Sequence, residues 1–304
     1  MTKYWILILV MSLSYAMENP HLKKYIQVFT IAGQNGLGSD AQYVKDLLGN
    51  DNVEIIPVGT PSYPDLGQSI CMNYLEKAVK AHAADPGYKL IHATSQGTAT
   101  ALNFLAENKT FFHGAILEAC MASGNSAIAH TLKGPLMNCP RLVNLPLSYY
   151  WIPYAAKFLF PLYWPAGRQP IKSLQTIAKI PIIIMHSKDD IQLPYEDAGA
   201  VYYGLKSHGN EQAYFISKEG DAHIEIANSY DKNIIQSILA NYNLSTAREP
   251  LKSDLTPYQP DSPAFKARHD ELIVQENNHK RLGYGLCAAS LALTLKGIHK
   301  YFPS

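Results

Sequence analysis

Tyr88-Lys89-Leu90-Ile91-His92-Ala93 runs into Thr94-Ser95-Gln96-Gly97, and a stretch rich in Ala and Leu follows to Glu107. The first six residues read as a short buried strand, and those from Gly97 onward as a helix. Ser95 falls in the turn between them, where Ala93 and Gly97 are small enough to let helix and strand pack closely. A turn of this kind holds its serine in strained backbone geometry at the edge of a sheet. The helix N-terminus behind it offers the Gln96 N–H to negative charge developing on a nearby oxygen. A serine that merely caps the helix is the plain alternative. The rest of the chain has to decide between them.

On either side, short β-like runs alternate with helical ones. Tyr25–Ile31, Val53–Val58, Phe112–Glu118, Ile180–His186 and Gln212–Ser217 join Tyr88–Ala93 as expected strands. Helical spacing is expected over Asp40–Leu48, Ser69–Ala84, Gly97–Glu107, Glu196–Ser207 and about Ile224–Tyr242. Such alternation requires right-handed crossovers and a parallel sheet covered on both faces. Ile180-Pro181-Ile182-Ile183-Ile184-Met185 has the nearly unbroken apolar character of a strand buried on both sides. The fold class is therefore α/β, a doubly wound, mostly parallel sheet of about six strands. Ligands in this architecture sit at the carboxyl ends of the strands.

Two more loops belong to that edge. His186-Ser187-Lys188-Asp189-Asp190-Ile191-Gln192-Leu193-Pro194 follows the fifth strand, and Gly220-Asp221-Ala222-His223 follows the sixth. A serine hydroxyl is a weak nucleophile until a base takes its proton, and the base needs an acid to fix its tautomer. Ser95, an aspartate and His223 supply all three roles in chain order.

With these residues in hand, the chain from about Tyr25 to Tyr242 resembles the α/β-hydrolases. The segment His186–Pro194 is similar to that family's His-Gly-x-x-Asp-x-x-Val-Pro acid loop. The resemblance implies Asp190 as the acid, with Asp189 as competitor, and His223 as the base. It also makes Ala32-Gly33-Gln34-Asn35-Gly36 the oxyanion loop, with the Gln34 N–H as second donor beside Gln96 and Asn35 as the alternative. Ala93 stands where the family commonly has Gly, and the oxyanion loop lacks the usual leading His. Glu118 could replace the aspartate, since some relatives carry the acid there; a carboxylate anchoring the following insertion is the plainer reading. His92 and His186 read as structural.

The bulk numbers narrow the classes. The 304 residues are 47% hydrophobic and 17% charged with a net charge of +1, enough for a sizeable core and without a basic stripe. Nucleic acid is excluded as an expected partner. No Cys or His spacing resembles a metal site, and no metal or other cofactor is expected. Among Cys71, Cys120, Cys139 and Cys287, a Cys120–Cys139 bridge is the first pairing to consider, against buried or free thiols.

Lys3, the apolar run Tyr4–Leu13 and Ser14-Tyr15-Ala16 have the order of an export signal. Residues 1–16 are expected to be a cleaved leader, with an uncleaved anchor as alternative, and the chain to be exported. Segments 17–120 and 177–244 form the core. Residues 121–176, rich in Pro and aromatics, are too long for a structureless loop and read as a helical lid. The extension 245–304 holds a polar helix candidate, Lys266–Arg281, and an apolar stretch, Leu282–Leu295. That stretch is too short to span a bilayer; it either docks on the core or touches a membrane surface. The expected function is hydrolysis of a lipophilic carboxylic ester, a small molecule, through an acyl-enzyme. An acyltransferase or thioesterase on the same triad, or a non-catalytic binding protein, is the alternative.

Overall fold

The computed structural model describes residues 25–33, 40–49, 52–59, 69–136, 169–220, 222–244 and 255–278. The expected leader, Gln34, Asn35, Cys139, Asp221, the middle of the insertion and the apolar stretch Leu282–Leu295 lie outside them. Six strands form one sheet: β1 (Ile26–Ile31), β2 (Val53–Val58), β3 (Tyr88–Thr94), β4 (Gly114–Glu118), β5 (Ile182–Ser187) and β6 (Ala213–Lys218). Their order is β2-β1-β3-β4-β5-β6 and every pairing is parallel. The α/β doubly wound sheet expected from the alternation is thus the architecture observed.

Parity along the strands divides the core in two. Phe29, Ile31, Ile91, Ala93, Ala115, Leu117, Ile182, Ile184 and Phe215 face one side. They pack against α2 (Ser69–Ala81), α3 (Gln96–Glu107) and α6 (Tyr195–Ser207). Ile26, Val28, Leu90, Ile116, Ile183, Met185 and Ile216 face the other, under α1 (Ala41–Leu48) and α7 (Ser229–Asn241). Two helix starts are set by short polar side chains. Asp40 accepts the Gln42 N–H at α1, and Asn228 and Asp231 form a reciprocal capping box at α7. That box starts α7 at Ser229 rather than near Ile224, leaving 222–228 as a loop that carries His223.

The insertion after β4 opens with α4 (Gly124–Leu136) and returns through α5 (Pro170–Ser173) and a 3-10 turn, Leu174–Thr176. Its two stems are joined: the Ile171 N–H donates to the Ala122 carbonyl at 2.9 Å, and the Gly124 N–H to Gln169 Oε1 at 2.8 Å. Ile171, Ser173 and Leu174 are buried, so the returning stem belongs to the core layer.

The polar helix expected at Lys266–Arg281 appears as α8, residues 263–278. Its buried positions, Phe265, His269, Leu272 and Glu276, follow helical spacing. Phe265 stacks edge-on with Tyr195 and Phe215, closing over Gly199, where any Cβ would lie 2.2 Å from its ring. Arg268 Nε donates to Asp197 Oδ1 at 2.7 Å. Glu276 accepts from Ser123 and Asn125 at the start of the insertion. Among the described residues no helix is long and apolar enough to cross a membrane.

Candidate active site

The turn after β3 places Ser95 as the N-cap of α3 with φ 52° and ψ −125° and no side-chain capping bond. A serine that served only as a cap would take extended backbone and bond a helix N–H. Here the backbone lies where non-glycine residues are strained, and the hydroxyl is left for another partner. Gly97 makes the turn possible, since a Cβ there would lie 2.4 Å from the Ile31 carbonyl oxygen.

That partner is His223. Its Nε2 lies 2.8 Å from Ser95 Oγ, and its Nδ1 lies 2.7 Å from Asp190 Oδ2. The three residues come from loops after β3, β5 and β6, brought to one edge by the parallel sheet. Asp190 Oδ1 is held by the Gln192 and Leu193 N–H groups at 2.8 and 3.1 Å, which aims Oδ2 at the imidazole. Burial pushes the Asp190 carboxyl up. The hydrogen bond and charge of His223 and the Gln192 N–H outweigh it, holding it below the ordinary carboxylate value. An ionised Asp190 only accepts, so the His223 proton sits on Nδ1 and Nε2 is free to accept from the serine hydroxyl. Asp189, the competitor, is exposed and meets Gly220 through its backbone.

Gln96 is the first residue of α3, so its backbone N–H has no acceptor within the helix. Gln34 and Asn35, the candidates for the second donor, lie outside the described residues. Among the described residues no group of three or more His, Cys, Asp or Glu is arranged to hold a metal.

His186 supports the acid loop. The Cys120 N–H donates to its Nδ1 at 3.1 Å, its Nε2–H donates to the Leu193 carbonyl at 3.2 Å, and that nitrogen is 3.5 Å from Asp190 Oδ2. Burial lowers its pKa below the ordinary 6.5, keeping the imidazole neutral. The unfolded chain therefore takes up a proton near pH 6.5 that the folded chain refuses. Stability is expected to fall as pH drops below that point, and His186→Gln to flatten the fall. Urea midpoints at about pH 7.5 and about pH 5 measure it.

Cys120 is a free thiol, fully buried, and burial pushes its pKa up to about 12. The Cys120–Cys139 bridge considered above is therefore not made. The Glu118 carboxylate bonds neither His223 nor the described residues of the insertion. It is fully buried, with Oε1 2.7 Å from His92 Nε2, while Oε2 accepts from Tyr43 Oη at 3.1 Å and from the Ile226 N–H at 3.2 Å. Sequence reasoning missed this cluster. Its visible signal was two polar residues, His92 and Glu118, on the same face of adjacent central strands.

Comparison with known proteins gives fold-level likeness. No family model matches the sequence, and no curated protein matches it either. An acylaminoacyl peptidase of Pyrococcus horikoshii superposes with a TM-score of 0.51 at 16% identity, over 79% of this chain and 41% of that one. The chain thus spans about two fifths of that peptidase's length. An esterase of Pyrococcus furiosus gives 0.52 at 13% identity, covering 72% of this chain and 83% of that one. Est1E from Butyrivibrio proteoclasticus gives 0.51 at 14%, covering 73% and 90%.

Proposed function

On the α/β-hydrolase fold that this chain carries, we propose a serine hydrolase that cleaves a carboxylic ester through an acyl-enzyme. One observation carries the reading: a hydrogen-bonded line from Asp190 through His223 to a serine held at φ 52°. A structural serine has no need of that strain, and a binding protein no need of all three groups.

The chemistry follows from the proton positions. Ser95 Oγ attacks the ester carbonyl carbon as its proton passes to His223 Nε2. Asp190 stabilises the imidazolium that results. The oxyanion accepts from the Gln96 N–H, and from the loop holding Gln34. When the tetrahedral intermediate collapses, His223 returns the proton to the leaving alkoxide. Water then attacks the acyl-serine with the same imidazole as base, releasing the acid and regenerating Ser95.

The esterases among the structural neighbours support an ester, and the acylaminoacyl peptidase keeps an amide as the competing scissile bond. The aromatic, Pro-rich insertion 121–176 is proposed as a lid over a lipophilic acyl or alkyl pocket. The leader at 1–16 is proposed to export the chain. The apolar stretch Leu282–Leu295 of the extension is proposed as a peripheral contact with a membrane surface. Stopped-flow assays with p-nitrophenyl acyl esters and N-acylaminoacyl p-nitroanilides test the substrate class. An ester reading predicts a burst of about one nitrophenolate per chain before steady turnover, with anilides slower by orders of magnitude. Faster anilide cleavage would move the assignment to a peptidase.

A further inference from the structure

We propose that Glu118, with Tyr43 and His92, is a positioning group that ties the nucleophile's turn to the loop of the base. The proposal rests on Ser95 and His223 being nucleophile and base, as proposed above.

Glu118 ends β4, next to β3 and one residue before a left-handed Ala119 (φ 49°). Its backbone carbonyl accepts the Ser95 N–H at 2.8 Å, which pins the strained turn. Its side chain reaches the other loop: Oε2 accepts the Ile226 N–H, three residues beyond His223. Tyr43 Oη, which donates to the same oxygen, accepts the next N–H, that of Ala227, at 3.1 Å. The His223 loop carries its own strain at Glu225 (φ 55°), whose carboxylate is tied to the Asp40 N–H at 2.7 Å. The backbone N–H groups of residues 226 and 227 thus depend on one carboxylate and one phenol as their acceptors.

His92 completes the arrangement. With Oε1 on His92 Nε2, neither carboxylate oxygen can swing away from its partners, and His92 and Glu118 are 1% and 0% exposed. The turn that follows meets β5, through the Ala119 N–H to the Met185 carbonyl and the Cys120 N–H to Nδ1 of His186, whose Nε2–H donates in turn to the Leu193 carbonyl of the acid loop. The end of β4 is therefore in contact with the turn of Ser95 and the loop of His223, and reaches the acid loop only through His186. A pair of buried polar residues is costly unless every group is satisfied, and this one satisfies backbone on two catalytic loops.

Removing the tie leaves Ser95, His223 and Asp190 in place but lets the imidazole drift from Oγ. A displacement near 1 Å costs about a hundredfold in rate. Fluorophosphonate labelling rates and kcat and KM for a p-nitrophenyl ester, each per folded molecule, test this on the full chain. Glu118→Ala should lower kcat and labelling about a hundredfold, with KM changed less than about threefold. Tyr43→Phe, which keeps the ring packed, should lower both about tenfold. Glu118→Gln retains an acceptor for Ile226 and should recover much of the loss.

A purely structural role would lower stability and leave the rates per folded molecule alone. Wild-type rates in Tyr43→Phe together with Glu118→Gln, or Gln as slow as Ala, would overturn the proposal. If Glu118→Ala does not fold, Tyr43→Phe and Glu118→Gln still decide. A folded wild type that fails to label at Ser95 overturns the parent reading, and is told apart because the variants are read only against a labelled wild type.

Discussion

Replacing Ser95 with alanine is expected to lower ester turnover by about 10⁴- to 10⁶-fold, to near the uncatalysed rate, while the chain stays folded. The hydroxyl forms the bond to the acyl group, and its contact with His223 Nε2 at 2.8 Å is the only route by which that imidazole acts on it. The stability of the variant carries a second, less obvious expectation. Ser95 sits at φ 52°, ψ −125° and makes no capping bond, so its side chain gives the helix nothing in return for the strain. Glycine relieves strain that alanine retains, worth about 1–3 kcal/mol, against the roughly 0.5–1 kcal/mol glycine normally loses in backbone entropy. Ser95→Gly should therefore be as dead as Ser95→Ala and more stable than it by about 1 kcal/mol. Urea titration of the two checks this, and the usual order, alanine above glycine, would show the turn to be unstrained.

The second large effect is expected at Gly97. A Cβ at this position would lie 2.4 Å from the Ile31 carbonyl oxygen and 2.7 Å from that of Ala32. Both atoms are backbone at the end of β1, so no side chain can rotate away. Gly97→Ala forces either the start of α3 or the end of β1 to move, at a cost of about 3 kcal/mol or more. The displaced parts are the turn of Ser95 and the entrance to the loop of Gln34. Whatever fraction folds should turn over ester about a hundredfold more slowly than wild type. Thermal melts and turnover per folded molecule measure the two effects separately.

The contrast between what the sequence disclosed and what it hid has physical causes. The strands were legible because each is buried on both faces, leaving runs such as Ile182-Ile183-Ile184-Met185 with no polar interruption. The Ser95 turn was legible because small residues flank the serine, and at Gly97 the need is steric, since a Cβ there would lie 2.4 Å from the Ile31 carbonyl oxygen at the end of β1. Asp190 and His223 stood out as candidates because a parallel sheet puts successive strand ends on one edge, and the resemblance of His186–Pro194 to the hydrolase acid loop favoured Asp190 over Asp189.

What stayed hidden is made of long-range pairings. Tyr43, His92, Glu118 and Ile226 come from α1, β3, β4 and the loop before α7, and no local pattern links them. Glu118 was therefore weighed as an acid or an anchor when its partners are His92, Tyr43 and a backbone N–H. The docking of α8 was hidden for a different reason. Two of its four buried positions are His269 and Glu276, so the buried stripe reads as polar until Asn125 and Ser123 are seen to receive it. Cys120, too, looked available for a bridge because burial at 0% exposure leaves no mark on the sequence.

Activation of Ser95 by His223 and Asp190 is tested by reaction of the folded chain with a fluorophosphonate, followed by peptide mass spectrometry. One phosphonyl group per chain is expected, located on Ser95, absent from Ser95→Ala and formed far more slowly in His223→Ala. A folded wild type that takes up no probe, or takes it up on another residue with Ser95 unmodified, would contradict it.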